Sequence, residues 1–239
     1  MSCDCIKAMI IIFFINVWST NFLIDNLNSI QLLLKLWTTM EKWEGKLCVV
    51  TGASAGIGAA IVKDLAKAGI NVIGLARRPE KIEEYVKELG KTKGTIYAYK
   101  CDVSDQNSIN AAFEWIENKF NTIDILINNA GVIRNVKILD TSDDVGAKLN
   151  EVINTNFTGL VQTTRQAFRL MKKVDDYRFI INVNSNAGHK IPFPLDPNVS
   201  HNVYHGTKFA VTATSEVLRQ ELICMDNDKI RVTVSLNFN

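Results

Sequence analysis

The chain is poor in proline, cysteine and histidine, and it carries almost no net charge. Only 4 prolines occur in 239 residues and 47% of residues are apolar, which excludes long disordered stretches. The 5 cysteines (Cys3, Cys5, Cys48, Cys101, Cys224) are odd in number and contain no C-x-x-C pair. They form neither a disulfide framework nor a zinc pattern, and they fit a reducing, cytoplasmic location. Among the 3 histidines, His201 and His205 share helical spacing, but Asn202 stands where a zinc-protease helix would carry glutamate. No metal site is expected. The 27 Lys and Arg nearly cancel the 25 Asp and Glu, leaving +2, so no basic face marks a nucleic-acid partner.

A long hydrophobic span is also missing. The apolar run at 8–15 has the length of a signal-peptide core and falls well short of the ~20 residues a membrane helix needs. Extending it to residue 24 crosses Asn16, Ser19, Thr20 and Asn21, and no small-x-small cleavage site follows. Leu23, Leu27, Ile30 and Leu34 then recur at helical spacing. Residues 1–39 therefore read as an appendage to a folded body at 40–239, with Met40 as an alternative start. The competing reading is a weak membrane anchor through residues 8–24. The N-x-S/T sequences at Asn156 and Asn198 matter only in a secretory setting.

What the body does contain is a regular alternation. Strand-like apolar runs at 47–51, 71–76, 96–99, 123–127, 179–183 and 230–234 alternate with helical patterns. The helices are expected at 57–68, 79–89, 108–120, 145–172 and 203–224, with Gly69 closing the first and Pro79 opening the second. This order implies right-handed βαβ units and a parallel sheet covered on both faces. The fold expected is a doubly wound α/β sheet in a single domain.

Thr51-Gly52-Ala53-Ser54-Ala55-Gly56-Ile57-Gly58 lies where the first strand turns into the first helix. Glycines 52, 56 and 58 keep side chains away from a bound pyrophosphate, and the helix N-terminus beyond offers unpaired N–H groups and a positive dipole end. A glycine turn alone is weak. Its placement between strand and helix favours nucleotide binding over a plain structural turn. Further along come Asn128-Asn129-Ala130-Gly131, Ser185, and Tyr204-His205-Gly206-Thr207-Lys208. In this order the set resembles the short-chain dehydrogenase/reductase family over nearly all of residues 44–235. Met40-Glu41-Lys42-Trp43-Glu44-Gly45-Lys46-Leu47, Asn182-Val183-Asn184-Ser185 and Gly188-His189 resemble its subgroup of insect farnesol dehydrogenases and dehydrogenase/reductase family member 11.

Tyr204 and Lys208 are i and i+4, on one helix face. A free phenol has a pKa of ~10, and bringing one near 7 takes about 4 kcal/mol of phenolate stabilisation. A lysine ammonium and an oxidised nicotinamide have the required sign. The resemblance implies a Rossmann-type sheet, Tyr204 as acid/base, and Lys208 also holding the nicotinamide ribose. It further implies Ser185 on the substrate oxygen, Asn156 holding a relay water, and Asp102-Val103 against adenine. By the same resemblance Gly52, Ser54, Ala55, Gly56, Ile57, Gly58, Asn129, Ala130 and Gly131 line the cofactor. Taken singly, Tyr204 reads as a half-buried aromatic, Lys208 as surface, Ser185 as a cap and Asn156 as a helix polar. Four at matching positions change the balance.

At the end of the second strand, where an NAD enzyme carries a carboxylate, the chain has Ala76, Arg77 and Arg78. Two guanidinium forks and no opposing carboxylate point to NADP rather than NAD. The expected partners are a small apolar alcohol or ketone and, from family resemblance, a second copy of the chain paired along 145–172 and 203–224. Two departures from the family stand out. The loop between Ser185 and Tyr204 is long and carries Pro192, Pro194 and Pro197. The chain also ends at Ser235-Leu236-Asn237-Phe238-Asn239, where the family continues with Ser-Pro-Gly, a further strand and a substrate lid. The reading is of a C-terminally incomplete domain with its sixth strand an open edge. The alternative to an active enzyme is a non-catalytic, cofactor-binding or unstable product.

Overall fold

The apolar runs become strands because both of their faces find cover. In the computed structural model, which describes residues 42–191 and 202–237, strand β1 (Leu47–Thr51) and strand β2 (Asn71–Ala76) are buried almost throughout. Alternate side chains of β1 enter opposite layers, as the period of two requires. Cys48 and Val50 join Ile61, Val62 and Leu65 of helix α1 (Gly56–Lys67) and Ile82 of helix α2 (Glu80–Leu89). Leu47 and Val49 face the other way, into a cluster with Ile109, Phe113 and Ile116 of helix α3 (Gln106–Phe120). Strands buried on both sides lose the in–out alternation and read as continuous Val/Ile/Leu runs.

Strand β3 (Ile96–Lys100), strand β4 (Ile125–Asn128), strand β5 (Arg178–Ser185) and strand β6 (Ile230–Asn237) complete a sheet of order β3-β2-β1-β4-β5-β6. Every pairing is parallel. The expected doubly wound α/β fold is what forms, and β1 and β4 are neighbours at the point where the order reverses. Among the described residues β3 and β6 are the edges.

The helix expected over 145–172 is interrupted. Helix α4 (Val145–Ile153) passes into a π-helical turn, Asn154–Thr158, before helix α5 (Gly159–Met171) resumes the ordinary winding. A wide turn of this kind inserts an extra residue and is common at functional sites; here it contains the buried Asn156. Helix α6 (Val203–Cys224) spans the interval read from the sequence. Its inward stripe is Thr207, Lys208, Val211, Ser215 and Leu222, so three of the five residues it buries are polar or charged. The N-terminal appendage, the anchor reading for 8–24 and the prolines at 192, 194 and 197 lie outside the described residues. Among those residues, no helix is long and apolar enough to cross a membrane.

Candidate active site

The glycine-rich turn is held by the chain's own backbone before any ligand is considered. Gly52 has φ +67°, and a Cβ there would lie 2.8 Å from Ala130 Cα. A Cβ on Gly58 would lie 2.2 Å from the Gly52 carbonyl oxygen and 2.5 Å from Asn129 Nδ2. These two glycines let the turn, helix α1 and the segment after β4 close on one another. Gly56 (φ +55°) is different, because a Cβ there would meet nothing within 4 Å. The expectation that all three glycines simply clear space for a ligand is thus refined. Gly58 is required by packing, Gly56 by its backbone conformation, and Gly52 by both.

The motif after β4 locks this arrangement. Thr51 Oγ1 accepts from the backbone N–H of Asn129 (3.0 Å) and of Ala130 (3.1 Å). Asn129 Nδ2 donates back to the carbonyls of Thr51 (3.0 Å) and Gly52 (3.3 Å). Deeper in the sheet, Asn128 Nδ2 donates to Asn182 Oδ1 and Thr164 Oγ1, both at 2.9 Å, and Asn182 Nδ2 donates to Ser215 Oγ at 2.9 Å. This buried ladder ties β4, β5, α5 and α6 together, and its members satisfy one another where no water reaches.

Above the strand ends lies a cleft of about 330 Å³. Its walls include Gly52, Ser54, Ala55, Ile57 and Gly58 from the turn, Arg77 and Arg78 after β2, Asp102 and Val103 after β3, and Asn129, Ala130 and Gly131 after β4. Nearly every residue assigned to the cofactor from sequence is therefore gathered into one cavity. Gly56, Tyr204 and Lys208 are not among its walls, while Ala76, Cys101, Val132 and Thr155 are. The last four were missed because each is an ordinary residue next to a motif. Ala55, the residue preceding α1, gives that helix no side-chain cap, so its first turn presents N–H groups toward the cleft wall. An anionic dinucleotide fits these surroundings.

Arg77 and Arg78 are exposed at the cleft's far end. The sequence reading placed no carboxylate near them, and this needs correction. Glu151 on α4 comes within 3.8 Å of the Arg77 guanidinium. It is itself gripped by Arg134, whose Nε donates to Oε2 at 2.6 Å and whose second guanidinium nitrogen pairs with Oε1. That grip holds the Glu151 carboxyl below the usual carboxylate range.

The other predicted residues gather beyond Val132. Asn156 accepts from the Val132 N–H (2.7 Å), donates to the Val132 carbonyl (2.9 Å), and reaches Thr207 Oγ1 on α6 at 3.4 Å. Its amide is thus spent on joining the cleft wall to α6. Lys208, 8% exposed, donates from Nζ to the Val183 carbonyl at 3.1 Å and stands 5.7 Å from the Tyr204 ring centroid. Burial pulls its pKa down to about 8. Ser185, at the end of β5, accepts from the Ala187 N–H at 3.2 Å, which uses a lone pair of the hydroxyl and not its hydrogen. Asn202 was not singled out from sequence. It caps α6 by accepting from the Tyr204 N–H at 2.9 Å, and it donates to the carbonyls of Arg134 (2.6 Å) and Val136 (3.1 Å).

A cleft at the switch point of a parallel sheet, beside a helix carrying Tyr-x-x-x-Lys, is the construction of an α/β oxidoreductase. The chain belongs to the short chain dehydrogenase family, whose profile matches residues 46–235. It is 46% identical over 185 residues to the farnesol dehydrogenase of Aedes aegypti, covering 77% of this chain and 73% of that protein. Dehydrogenase/reductase SDR family member 11 of Homo sapiens is 43% identical over 187 residues, covering 77% and 69% respectively. Among solved structures, a metagenomic short-chain oxidoreductase in complex with NADP superposes with a TM-score of 0.71 at 28% identity. That match covers 82% of this chain and 84% of the other. The resemblance read from the motifs, and the subgroup within it, are those of the chain's relatives.

Proposed function

We propose that the protein is an NADP-dependent oxidoreductase that interconverts an apolar, farnesol-like alcohol and its carbonyl. The observation that carries the proposal is the cleft running from the glycine turn to Arg77 and Arg78, set on the same frame as Tyr204 and the buried Lys208. NADP, when bound, would supply the acceptor for the hydride that leaves the carbinol carbon. The chain's own residues handle the proton. Tyr204 takes the hydroxyl proton as the carbonyl forms and returns it in the reverse direction. Lys208 holds a positive charge near the ring, where it favours the phenolate. Ser185 donates its hydroxyl hydrogen to the substrate oxygen and so stabilises the developing alkoxide.

Asn156 acts through the Val132 backbone and Thr207, keeping the cleft wall and α6 in register. NADP is preferred because two guanidinium groups suit a 2′-phosphate. The metagenomic neighbour bound to NADP supports that preference, and the Aedes aegypti relative supports the substrate class.

The test is a fluorescence titration of the full chain with NADPH and NADH, together with farnesol turnover followed at the nicotinamide absorbance. NADPH should bind more tightly. Replacing Arg77 and Arg78 together by alanine removes two charge-assisted contacts of ~1.5–3 kcal/mol each and should reverse the preference. An unchanged NADPH/NADH ratio in that variant removes the two arginines from cofactor choice.

A further inference from the structure

Glu151 poses a problem for any 2′-phosphate. Its carboxylate lies 3.8 Å from Arg77, so it is placed both to compete for that guanidinium and to repel an incoming anion. We infer that Arg134 is a specificity-determining residue: by holding Glu151 in a two-pronged ion pair, it cancels that carboxylate and leaves Arg77 available to the phosphate. This rests on the NADP reading above.

The geometry of the pair supports the assignment. Arg134 engages both oxygens of Glu151, Nε to Oε2 at 2.6 Å and the terminal nitrogen to Oε1, in the fork arrangement that only arginine offers. Arg77 approaches Oε1, which Arg134 already holds, at the longer distance of 3.8 Å. The carboxylate is therefore satisfied before Arg77 is counted.

Arg134 is also held in place. Asn156 clamps Val132 two residues earlier, and Asn202 donates to the Arg134 carbonyl at 2.6 Å and to the Val136 carbonyl at 3.1 Å. The loop that carries the guanidinium is fixed on both sides of it, so the pair does not depend on a chance surface rotamer. About a third of each side chain in the pair stays exposed, 33% for Arg134 and 31% for Glu151, so the effect is expected to be moderate and screened by salt.

Arg134 neither touches the adenosine end of the cleft nor lines it in this structure; it acts through Glu151. Its loss should thus affect the phosphorylated cofactor and spare the other. A carboxylate about one-third exposed, opposite a doubly charged phosphate, gives roughly a ten-fold effect on affinity.

The experiment measures dissociation constants for NADPH and NADH by fluorescence titration, at low and high salt, on the full chain and on Arg134→Met, Glu151→Gln and the double variant. Arg134→Met should lower the NADPH/NADH affinity ratio by about ten-fold, with NADH binding nearly unchanged, and 0.5 M salt should shrink the difference. Glu151→Gln should raise the ratio about two- to five-fold, and in the double variant the loss seen with Arg134→Met should disappear. Equal weakening of both cofactors by Arg134→Met, or a double variant as poor as Arg134→Met, would overturn the inference, since either result makes Arg134 a structural support of its loop. Should Arg134→Met fail to fold, Glu151→Gln decides, and no rise in the ratio overturns the inference. The parent chain and the Arg77/Arg78 variant run alongside. Their failure to show an arginine-dependent NADPH preference sinks the NADP reading itself, and a normal result there with no Arg134 effect sinks only this inference.

Discussion

Lys208 should cost the protein stability at neutral pH, and the cost can be read from its surroundings. Its side chain is buried on α6 and donates to the Val183 carbonyl at 3.1 Å. Burial lowers its pKa from the ordinary 10.5 to about 8. At ~1.4 kcal/mol per pH unit, that gap corresponds to about 3 kcal/mol. The sign follows from which state binds the proton more tightly. Between about 8 and 10.5 the unfolded chain still holds the proton that the folded chain has released, so stability rises with pH across this window. Below about 8 both states are protonated and the full cost of the buried ammonium is present.

Lys208→Met keeps an unbranched side chain of similar length and removes the charge, but it strands the Val183 carbonyl at a cost of about 1 kcal/mol. The variant should therefore be about 1–2 kcal/mol more stable than the parent at pH 7, with Tm raised by ~2–8 °C, while losing catalytic activity. At pH 10.5 the advantage should vanish or reverse. The assay is urea unfolding of both proteins at the two pH values, taking the difference so that other titrating groups cancel. A stability difference that stays constant from pH 7 to pH 10.5 would refute the reasoning.

Two further outcomes are expected. Tyr204→Phe keeps the ring and removes the transferable proton, so kcat for alcohol oxidation should fall ~10²–10⁴-fold while NADPH affinity changes little; parent-like turnover would take Tyr204 out of acid/base chemistry. Gly58→Ala places a methyl 2.2 Å from the Gly52 carbonyl oxygen, a backbone atom that cannot simply rotate away. It should destabilise the fold by about 1–3 kcal/mol and weaken binding of both cofactors, as measured by thermal unfolding and titration; a neutral result would mean that the turn is looser than its packing indicates.

The sheet was legible because its determinants are local and repeated. Each of the central strands β1, β2 and β4 is buried on two faces, and no polar alternation obscures its apolar run. The turn at 52–58 announced itself because a positive φ and a sub-van der Waals approach both exclude side chains, and glycine is the residue that tolerates them. The strand ends were less readable. Asn128, Asn182 and Asn184 are poor strand formers by propensity, yet they lie in β4 and β5. Asn128 and Asn182 are secured there by partners on other elements, such as Thr164 and Ser215. The π-helical turn at Asn154–Thr158 was not read from the sequence. One extra residue turns the inward stripe by about 100°, but that stripe includes the polar Asn156, Thr163 and Thr164, so the apolar pattern does not mark where the phase changes.

The Arg77 end of the cleft shows why charge at a site resists reading along the chain. The absence of a carboxylate at the end of β2 is a statement about one strand, whereas the field there is assembled from four elements. Arg77 comes from the turn after β2, Asp102 from the turn after β3, Arg134 from the loop after β4, and Glu151 from α4. Doubly wound topology brings the ends of consecutive and non-consecutive strands to one rim, so Glu151, 74 positions away in sequence, comes within 3.8 Å of Arg77. A cofactor preference inferred from the two arginines alone therefore has the right sign only while the carboxylate across the rim stays paired. That condition is imposed by a third arginine, whose loop is fastened by Asn156 and Asn202 to the helix that carries Tyr204. On the proposed function, cofactor choice and proton transfer would then depend on the same few hydrogen bonds.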